Sequence, residues 1–464
     1  MEKLTMVKNK GKKPYVRPVI KKVSFADTGK FKSEHLKKPS IKKIEGLSVQ
    51  NLIGDYSSPL YVVSESVLRQ SYRELAQAFT KRYSRTTIAY SYKTNYLSAI
   101  CAILYQEGAW AEVVSGFEYE IARQLGITGP MIVFNGPYKK PEEMKRAFLD
   151  GAAVNLDSLD ELKTAGEVAS LLGRKVKVGI RVNMQLNYPA WDKFGFSYEQ
   201  GEALEACKQI KKHRYLQLAG LHCHAGTYII DLGIYRRLIE NLTSLAVNIK
   251  KELKLEMEYL DIGGGFPSRN SLHTQLMPGD TIAPPIEQYA ETVCSVINRK
   301  SDHFKNPPRL ILEPGRSVVD ECMHLLTTVV AVKERINGNR AIIVDAGVNL
   351  LSASTYYRYE MASDRDSAET MEEVDIYGAL CMQIDVLRKS VRLPMVKTGD
   401  IITISKVGAY NFTQSMQFIY PRPAVVLLNE GKAAIIRRKE KYEDIKGPEI
   451  IPARLLKHVP ANQK

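Results

Sequence analysis

Short apolar runs alternate with amphipathic stretches through the middle of the chain, and this alternation predicts repeated strand–helix units. Apolar positions recur at helical spacing in Glu142–Leu149, Asp160–Leu172, Tyr235–Leu253 and Ile286–Arg299. The strand candidates are Ile88–Lys93, Trp110–Ser115, Met131–Asn135, Ala153–Asp157, Val176–Val182, Leu218–His224, Tyr259–Gly264 and Leu310–Glu313. Strands that alternate with helices in this way form a parallel sheet.

Eight such units over residues 88–315 fit a closed (β/α)8 barrel, which usually takes about 250 residues. An open doubly wound sheet also alternates strands with helices. Its dinucleotide-binding form, however, carries Gly-x-Gly-x-x-Gly after the first strand, and this chain has no such motif there. We therefore expect an α/β fold whose large domain is a (β/α)8, or TIM, barrel.

Beyond residue 320 the pattern changes to β-branched runs separated by turn residues, which predicts a second, mostly β domain. The runs are Thr327–Val332, Ala341–Val344, Ile401–Ser405, Ala424–Leu428 and Ala433–Arg437. An early strand at Pro59–Val63 is expected to join this domain, which makes the barrel an insertion. The expected divisions are a basic tail (1–45), an entry strand and helix (46–84), the barrel (85–318) and the β-rich C-terminal domain (319–464).

The charge of the chain is concentrated in the tail. Residues 1–45 carry 14 Lys/Arg against 4 Asp/Glu, so they hold +10 of the formal +15. Their composition is typical of a disordered or loosely docked extension, and the body has the charge balance of a metabolic enzyme rather than a nucleic-acid-binding protein. No apolar stretch approaches the roughly 18 residues of a membrane span, and no signal peptide is recognisable. We expect a cytoplasmic protein that does not enter a membrane.

The six cysteines show neither a Cys-x-x-Cys pair nor a histidine spacing suited to zinc. This pattern argues against a disulfide framework and against a structural metal. Most of the cysteines are expected to be small core residues.

Reactive groups in barrels of this kind lie at the carboxyl ends of the strands. In chain order, the predicted strands end on Lys93, Ser115, Asn135, Asp157, Asn183, His224, Gly263–Gly265 and Glu313. A lysine at the end of an apolar strand is unusual, and a desolvated amine of lowered pKa is a Schiff-base nucleophile. A lysine that extends its amine into solvent would give the same pattern.

Two glycine motifs indicate a phosphate site. Gly263–Gly265 lets the backbone approach a ligand closely and exposes N–H groups that can bind a phosphate. Glu313–Arg316 adds a second glycine and a guanidinium after the eighth strand, where barrels commonly bind phosphate.

Seven motifs occur in one fixed order: Tyr90–Asn95, Glu112–Gly116, His222–Thr227, Leu260–Pro267, Glu313–Arg316, Gly378–Cys381 and Gly408–Tyr410. In this order they resemble the fold type III pyridoxal-phosphate decarboxylases, which include the diaminopimelate and ornithine decarboxylases, over about residues 55–445. The resemblance implies a barrel with a β domain, pyridoxal 5'-phosphate as cofactor, a homodimer with shared active sites, and decarboxylation of an amino acid at its α-carboxylate.

The resemblance also implies residue roles. Lys93 would hold the cofactor as a Schiff base, Glu313 would pair with the pyridine nitrogen, and His224 would stack on the ring. Cys381 would serve the reprotonation step from the partner subunit. Asp345 matches a position that reaches across the dimer, although an aspartate in a turn often caps that turn. The phosphate would be bound by Thr227, Gly264, Gly265, Gly315, Arg316 and Tyr410.

Diaminopimelate decarboxylases carry an acidic residue after the cysteine and an Arg-Pro pair, but this chain has Met382 and Ala353-Ser354 there. These residues cannot bind the far amine and carboxylate of diaminopimelate, so that substrate is not favoured. Asp385 is expected to be able to meet a distal amine, and residues 435–445 resemble decarboxylases of D-ornithine and D-lysine. Residues 352–356, which end on Tyr356, resemble the matching segment of a decarboxylase whose substrate is a glutamyl group attached to a carrier protein. A basic D- or L-amino acid and a conjugated or carrier-bound one both remain open, and a basic tail would attract an acidic carrier.

Two alternatives have the same architecture. An amino-acid racemase would use a tyrosine of the second domain as the opposing base, where this chain has the cysteine motif. A catalytically inactive homologue with a regulatory partner would have lost some of its reactive residues. None is missing among Lys93, His224, Glu313, Arg316 and Cys381.

Overall fold

The structure is a computed structural model that describes residues 40–189, 191–275, 279–335, 340–366 and 370–458. Most of the predicted basic tail, residues 1–39, lies outside the described residues. Within them, no helix combines the length and the apolar character needed to cross a bilayer.

Eight parallel strands form the predicted barrel. Each strand pairs with the next in chain order, and the eighth pairs with the first, so the sheet closes and the predicted (β/α)8 fold is confirmed. All eight predicted strands are present, with ends shifted by up to three residues. They are Thr86–Ser91, Trp110–Val113, Ile132–Phe134, Ala153–Leu156, Val176–Asn183, Leu216–His222, Tyr259–Asp261 and Arg309–Leu312.

Serine side chains fix where two of the barrel helices begin. The hydroxyls of Ser115 and Ser158 each accept a 3.2 Å hydrogen bond from a backbone N–H three residues later, which satisfies a donor that the helix itself leaves unpaired. The α-helices are Val49–Tyr56, Glu65–Thr80, Ser98–Gln106, Gly116–Gln124, Pro141–Asp150, Leu159–Leu172, Glu202–Lys212, Leu232–Leu253, Gly279–Ile282, Ile286–Arg299, Arg316–Val319 and Tyr442–Lys446. Turns of 3-10 helix occupy Tyr92–Thr94, Gly129–Met131, Ser301–His303, Ser352–Thr355 and Ala453–His458.

The second domain is built on a mostly antiparallel sheet, as predicted. Its strands are Leu60–Ser64, Met323–Glu334, Arg340–Val344, Met361–Ser363, Met371–Tyr377, Val386–Pro394, Ile401–Ser405, Ala424–Asn429 and Lys432–Arg437. Further two-residue strands are Lys43–Ile44, Leu47–Ser48, Phe196–Ser197, Ser271–Leu272 and Tyr357–Arg358.

The early strand Leu60–Ser64 lies inside this sheet. It pairs antiparallel with Met323–Glu334 and parallel with Ala424–Asn429, and all five of its residues are buried. This pairing agrees with the expectation that the early strand joins the β domain and leaves the barrel as an insertion. The domain boundaries themselves stay predictions.

A loop of the β domain contacts the mouth of the barrel. The backbone N–H of Tyr410 donates to the carbonyl of Thr94 at 2.8 Å, and the Thr413 hydroxyl donates to the carbonyl of Lys93 at 3.0 Å. The amide of Asn95 donates to the carbonyl of Gly408 at 2.9 Å. The turn that carries Lys93 is therefore held by both domains.

A buried ion pair stabilises the wall of the barrel beside the site. The side chain of Lys139 is 0% exposed, and its Nζ lies 3.0 Å from Oε2 of Glu161. It also donates to the carbonyl of Gly136 at 2.9 Å. Removing one partner of such a pair leaves the other charge buried without compensation, which is far more costly than losing an exposed pair.

We expect Lys139→Ala to lower the free energy of unfolding by about 3–5 kcal/mol in urea titrations. The matched control is Lys177→Ala, whose pair with Glu258 is 56% and 48% exposed and should contribute less than about 1 kcal/mol. A double variant, Lys139→Met with Glu161→Leu, should recover part of the loss because it leaves no unpaired charge. Equal effects of the two lysine substitutions would contradict the importance of the buried pair.

Candidate active site

A cavity of about 700 Å³ opens at the carboxyl ends of the barrel strands. Lys93, His224 and Glu313 line it from the barrel, and Tyr356 and Tyr410 line it from the β domain. Thr227, Gly265, Gly315 and Arg316 also belong to its lining. The structure thus brings together most of the residues that the sequence analysis selected.

Lys93 lies in the turn Tyr92–Thr94, directly after the first barrel strand rather than on it. Its Nζ is 2.5 Å from Oε2 of Glu112. Burial lowers the pKa of Lys93, but the carboxylates of Glu112 and Glu313 outweigh burial and hold that pKa above its ordinary value. The expectation of a lowered pKa is therefore wrong for the protein without cofactor, because it took no account of the neighbouring carboxylates.

Glu112 begins one of the seven motifs, but the sequence analysis assigned it no role. It is 1% exposed, and its carboxylate also accepts hydrogen bonds from the Ser91 hydroxyl at 2.6 Å and the Asn135 amide at 3.1 Å. A signal was available, since Glu112 interrupts the otherwise apolar strand Trp110–Val113. A charged residue inside a barrel strand is rarely buried without a partner.

Glu313 belongs to a second group of buried polar side chains, together with His222 and Asp261. Its Oε1 accepts from the Asn135 amide at 2.5 Å, and its Oε2 is 3.4 Å from Nε2 of His222. Burial raises the pKa of Glu313, yet His222, Asp261 and Lys93 together hold it well below its usual range. Burial and the adjacent Glu313 raise the pKa of Asp261 well above its usual range. These opposite shifts favour the ionised form of Glu313 and the protonated form of Asp261.

Ligand atoms of His222, Asp261 and Glu313 lie within 4.8 Å of one another, which is a spacing that a metal ion can also use. His222 and Asp261 also hold the pKa of Glu313 well below its usual range. The cluster is better described as support for the ionised Glu313.

His224 presents a neutral ring to the cavity. Its Nδ1 accepts a hydrogen bond from the backbone N–H of Gly264 at 3.1 Å. Burial, with the positive charges of Arg181 and Lys93, lowers the pKa of His224 to about 3. An uncharged imidazole held by one nitrogen is suited to stacking on a planar ring.

The glycine motifs form a cradle beside these residues. A Cβ on Gly264 would lie 2.2 Å from the carbonyl oxygen of Glu313, and one on Gly315 would lie 2.0 Å from the Thr94 hydroxyl. A Cβ on Gly265, whose φ is +92°, would lie 2.6 Å from the carbonyl oxygen of Gly226. Only glycine fits these positions, so the backbone of Gly265 and Gly315 can approach an anion closely, whereas the N–H of Gly264 already donates to His224.

Arg316 supplies positive charge next to the cradle. It is buried, its Nη1 makes a 3.8 Å contact with Asp320, and that nitrogen has no hydrogen-bond partner among the described residues. Its guanidinium carbon lies 5.0 Å from the ring centre of Tyr410. An unpartnered buried guanidinium nitrogen at a glycine cradle matches the needs of a phosphate.

These residues fit pyridoxal phosphate: an amine, a ring platform, an ionised carboxylate and a phosphate cradle face one cavity. Lys93 would bind its aldehyde, His224 and Glu313 would hold its ring, and the cradle with Arg316 would bind its phosphate. When bound, this cofactor supplies an electron sink for the bond that breaks at Cα. The fold and the site together define a fold type III pyridoxal-phosphate enzyme.

Comparisons with known proteins agree with this class. Residues 69–320 match the family model described as pyridoxal-dependent decarboxylase, pyridoxal binding domain. A diaminopimelate decarboxylase of Archaeoglobus fulgidus is 31% identical over 430 residues, which cover 90% of this chain and 98% of the relative. One of Methanothermobacter thermautotrophicus is 30% identical over 89% of this chain and 96% of the relative.

Among solved structures, diaminopimelate decarboxylase from M. jannaschii superposes with a TM-score of 0.83 at 30% identity, covering 89% of this chain and 97% of that one. The chain belongs to the pyridoxal-dependent decarboxylase family. It is a pyridoxal-phosphate-dependent carboxy-lyase that decarboxylates an amino acid.

Four residues expected to contact the substrate, to reach across the dimer or to act from a partner subunit lie outside the cavity lining: Asp345, Cys381, Met382 and Asp385. Cys381 is exposed, whereas the other five cysteines are buried as expected. The Asp345 carboxylate accepts from the Thr327 hydroxyl at 2.6 Å and the Thr328 N–H at 2.9 Å, so it links its own segment to the strand Met323–Glu334.

Asp385 has a structural role in its own loop. It is 2% exposed, and its two carboxylate oxygens accept from the backbone N–H groups of Val348 and Leu380, both at 2.8 Å. A Cβ on Gly378 would lie 2.2 Å from one of these oxygens. These contacts do not support the expectation that Asp385 meets a distal amine.

Replacement of Gly264 by alanine should weaken binding of pyridoxal phosphate by about tenfold or more, because the new Cβ must displace backbone at Glu313. The dissociation constant can be measured by absorbance titration. Gly54→Ala is the matched control, since a Cβ at Gly54 has no neighbour within 4 Å. Equal affinity of the two variants would contradict the cradle.

The lowered pKa of His224 predicts a pH-dependent stability. Below pH 6.5 the unfolded chain binds a proton that the native site excludes, so stability is lost as the pH falls toward 3. The free energy of unfolding in urea is measured for cofactor-free protein at pH 7.5 and at pH 5.5. His224→Gln should reduce the difference between these two free energies by at most about 1.4 kcal/mol relative to wild type. Removal of the exposed His303 (His303→Gln) should leave the difference unchanged. A wild-type difference that persists in full without His224 would refute the assignment.

Proposed function

We propose that this decarboxylase acts on an α-amino acid whose far end is not the free ammonium and carboxylate of diaminopimelate. The composition of the cavity carries this proposal. Among the described residues, its lining contains two carboxylates, Glu112 and Glu313, which already accept from Lys93 and Asn135. The lining contributed by one chain therefore offers a distal ammonium no carboxylate beyond these two, among the residues that the structure describes.

The turn that would have to bind a distal carboxylate offers no cation. Ala353 is fully buried in the turn Ser352–Thr355, and its backbone N–H donates to Oδ1 of Asn411 at 3.2 Å. A methyl group at this position cannot replace the bidentate guanidinium expected of diaminopimelate decarboxylases. Met382, the residue after Cys381, is likewise apolar.

The proposed roles of the chain's own residues follow from their contacts. Lys93 binds the cofactor, and Glu112 keeps its amine protonated and close to the cavity whenever it is free. Glu313 would hold a proton on the ring nitrogen of the cofactor, and His222, Asp261 and Lys93 keep the pKa of Glu313 low enough for this role. His224, neutral over the working pH range, covers one face of the ring and excludes water from it.

We further propose a homodimer with shared active sites. The support is that Cys381 is exposed on a loop whose own chain does not bring it to the cavity. Asp385 stiffens that loop through its two backbone contacts, so the cysteine is presented outward on a fixed turn. A partner subunit would complete the site by placing this thiol at its neighbour's cavity.

Diaminopimelate is the second candidate substrate. It is favoured by relatives of that name that match nearly the full chain, and by a crystal structure of one of them in complex with L-lysine, with a TM-score of 0.82. The two candidates differ in one respect, namely whether the enzyme needs a charged far end on its substrate.

The decisive experiment scores CO2 release from a panel of free D- and L-amino acids, diaminopimelate and glutamyl or lysyl groups linked through an amide. Wild type with pyridoxal phosphate should release CO2 from a linked or uncharged substrate at least about tenfold faster than from diaminopimelate. Turnover of diaminopimelate alone would overturn the proposed substrate class. Hydrogen exchange at Cα without CO2 release would indicate a racemase, and no reaction with any compound would favour a regulatory homologue.

Lys93→Ala should abolish both CO2 release and the fixation of cofactor by borohydride, because no amine is left to bind the aldehyde. Lys81→Ala, at the exposed end of the helix Glu65–Thr80, is the control and should retain both. Mass spectrometry of borohydride-treated wild type should find the cofactor on the peptide containing Lys93. Cofactor fixed at another lysine would refute the assignment.

A further inference from the structure

Positive charge is concentrated at the end of the barrel opposite to the cavity, where five neighbouring strands begin. Together these strand-entry segments carry 16 Lys/Arg against 4 Asp/Glu, a formal +12. The whole chain from residue 46 onward carries only +5, so the remainder of the folded body is net negative. We call the segments the basic arc, and they are 81–85, 173–177, 211–217, 250–258 and 299–309.

The other three barrel strands begin without this excess. The segments that lead into the second, third and fourth strands carry one arginine against two acidic residues, over 103–110, 121–132 and 147–153. The charge is therefore a property of one side of this end of the barrel and not of barrel loops in general.

The segments of the basic arc are neighbours because their strands are neighbours. The fifth to eighth strands pair in order and the eighth pairs with the first, at the usual spacing of about 4.8 Å between strands. Backbone hydrogen bonds also join the segments directly. The N–H of Val176 donates to the carbonyl of Tyr215 at 2.9 Å, and the N–H of Arg309 donates to the carbonyl of Glu258 at 2.8 Å. The arc is thus one continuous surface.

Much of the charge on this surface is not neutralised. Two ion pairs lie within the arc, Lys177 with Glu258 at 2.8 Å and Lys250 with Glu256 at 2.7 Å. An uncompensated positive surface attracts anionic partners and speeds their encounter with the protein. The exposed cations that form no ion pair with another residue described by the structure are Lys175, Lys211, Lys212, Arg214, Lys251 and Lys254.

Two exposed leucines lie at the margin of the basic arc. Leu149 and Leu171 are 52% and 87% exposed, and they stand near the ends of two consecutive barrel helices. The Arg174 guanidinium of the arc donates to the carbonyl of Phe148, so the arc reaches the first of these helices. A groove beside Leu171 is lined on its other side by His213 of the arc. Apolar side chains next to a charged surface give a partner something to bury.

These features fit an acidic protein segment better than a nucleic acid or a bilayer. The pairs that Glu256 and Glu258 make interrupt the positive surface that a phosphate backbone would follow. The described residues of the arc include no exposed Phe, Tyr or Trp on which bases could stack. A bilayer would take apolar side chains spread over the surface, whereas Leu149 and Leu171 lie at one margin.

We propose that the basic arc is a docking surface for an acidic segment of a partner protein, and that an apolar side chain of this segment packs on Leu149 and Leu171. The cavity opens at the other end of the barrel, so a docked partner leaves it accessible to substrate. Residues 1–45 carry the same sign of charge as the arc, so repulsion prevents this tail from covering it. The surface does not depend on which amino acid the enzyme decarboxylates.

A labelled peptide of consecutive glutamates with two leucines at its centre is the probe for this surface. Its binding to the full-length protein loaded with pyridoxal phosphate is followed by fluorescence anisotropy. One matched peptide has serines in place of the leucines, and another has glutamines in place of the glutamates. A single-stranded oligothymidylate and vesicles of phosphatidylcholine with phosphatidylserine represent the other two classes of partner.

Reversal of three charges in the arc, Lys175→Glu with Lys212→Glu and Lys251→Glu, should weaken binding of the acidic peptide by at least about tenfold. The matched control should weaken it by less than about twofold, although it changes the net charge by the same amount. Both variants should bind pyridoxal phosphate as wild type does, which verifies that they fold. The control reverses three lysines exposed outside the arc, Lys145→Glu, Lys397→Glu and Lys432→Glu.

The leucines are tested with two variants of one helix. Leu171→Ser should reduce the preference for the leucine peptide over the serine peptide by about threefold or more. Leu159→Ser should leave this preference unchanged, because Leu159 is 53% exposed but begins the same helix at the cavity end of the barrel.

The proposal is overturned if the arc variant and its control bind the acidic peptide equally, or if wild type binds the glutamine peptide as tightly as the glutamate peptide. Equal effects of Leu171→Ser and Leu159→Ser overturn the apolar contact. If the oligothymidylate or the vesicles bind more tightly than the peptide, and the arc variant loses that binding, the surface serves a nucleic acid or a membrane and the protein partner is ruled out.

Discussion

Two carboxylates are buried at the mouth of the barrel, and the neighbouring side chains must supply them with hydrogen-bond donors or positive charge. Glu112 and Glu313 are 1% and 5% exposed, and an ionised carboxylate in such surroundings is stable only with donors or opposite charge. Asn135 meets both at once, since its single amide nitrogen donates to Glu112 and to Glu313. Lys93 adds the charge that Glu112 requires. Lys93, the proposed cofactor-binding lysine, is therefore also the counter-ion of Glu112.

Glu313 is also held by neighbouring polar side chains, and some of its partners differ from those of Glu112. His222, Asp261 and Lys93 together hold the pKa of Glu313 well below its usual range. Tyr259, through Asn155, extends the same hydrogen-bond chain to Asn135, with 2.6 and 2.8 Å contacts. The barrel thus contains a polar network beside the cavity that ties its strands to one another, and a separate apolar cluster of Ala89, Val133, Ala219, Tyr259 and Ile311.

Most of the fold could be predicted because its signals are local. All eight barrel strands are short apolar runs, and their order fixes which residues meet at the mouth. Strands such as Met371–Tyr377 and Val386–Pro394 were not predicted, because they are exposed on one face and rich in charged residues. Their apolar content is too low to distinguish them from loops, and only pairing with neighbouring strands makes them regular.

Site residues could be predicted where the residue type is unusual at its position in the sequence. Their properties could not be predicted where they depend on side chains that are distant in the sequence. Lys93, His224 and the glycines end their strands and meet in one cavity. The pKa of Lys93 could not be foreseen, since Glu112 lies 19 residues away on the next strand. Asp385 was read as a possible substrate contact, but its oxygens bind backbone groups of two separate segments, Val348 and Leu380. Such contacts exist only after folding.

The position of Leu60–Ser64 between strands contributed by residues 323–334 and 424–429 has a consequence for synthesis on the ribosome. The barrel can be completed as soon as residue 312 has emerged, but the early strand then still lacks both neighbours. Every residue of that strand is buried in the finished protein, so an incomplete chain presents an unpaired apolar edge at its beginning. A product truncated before residue 424 therefore keeps one edge of this strand unpaired, however well its barrel has formed. Chaperones and proteases can recognise the truncated chain by this exposed apolar edge.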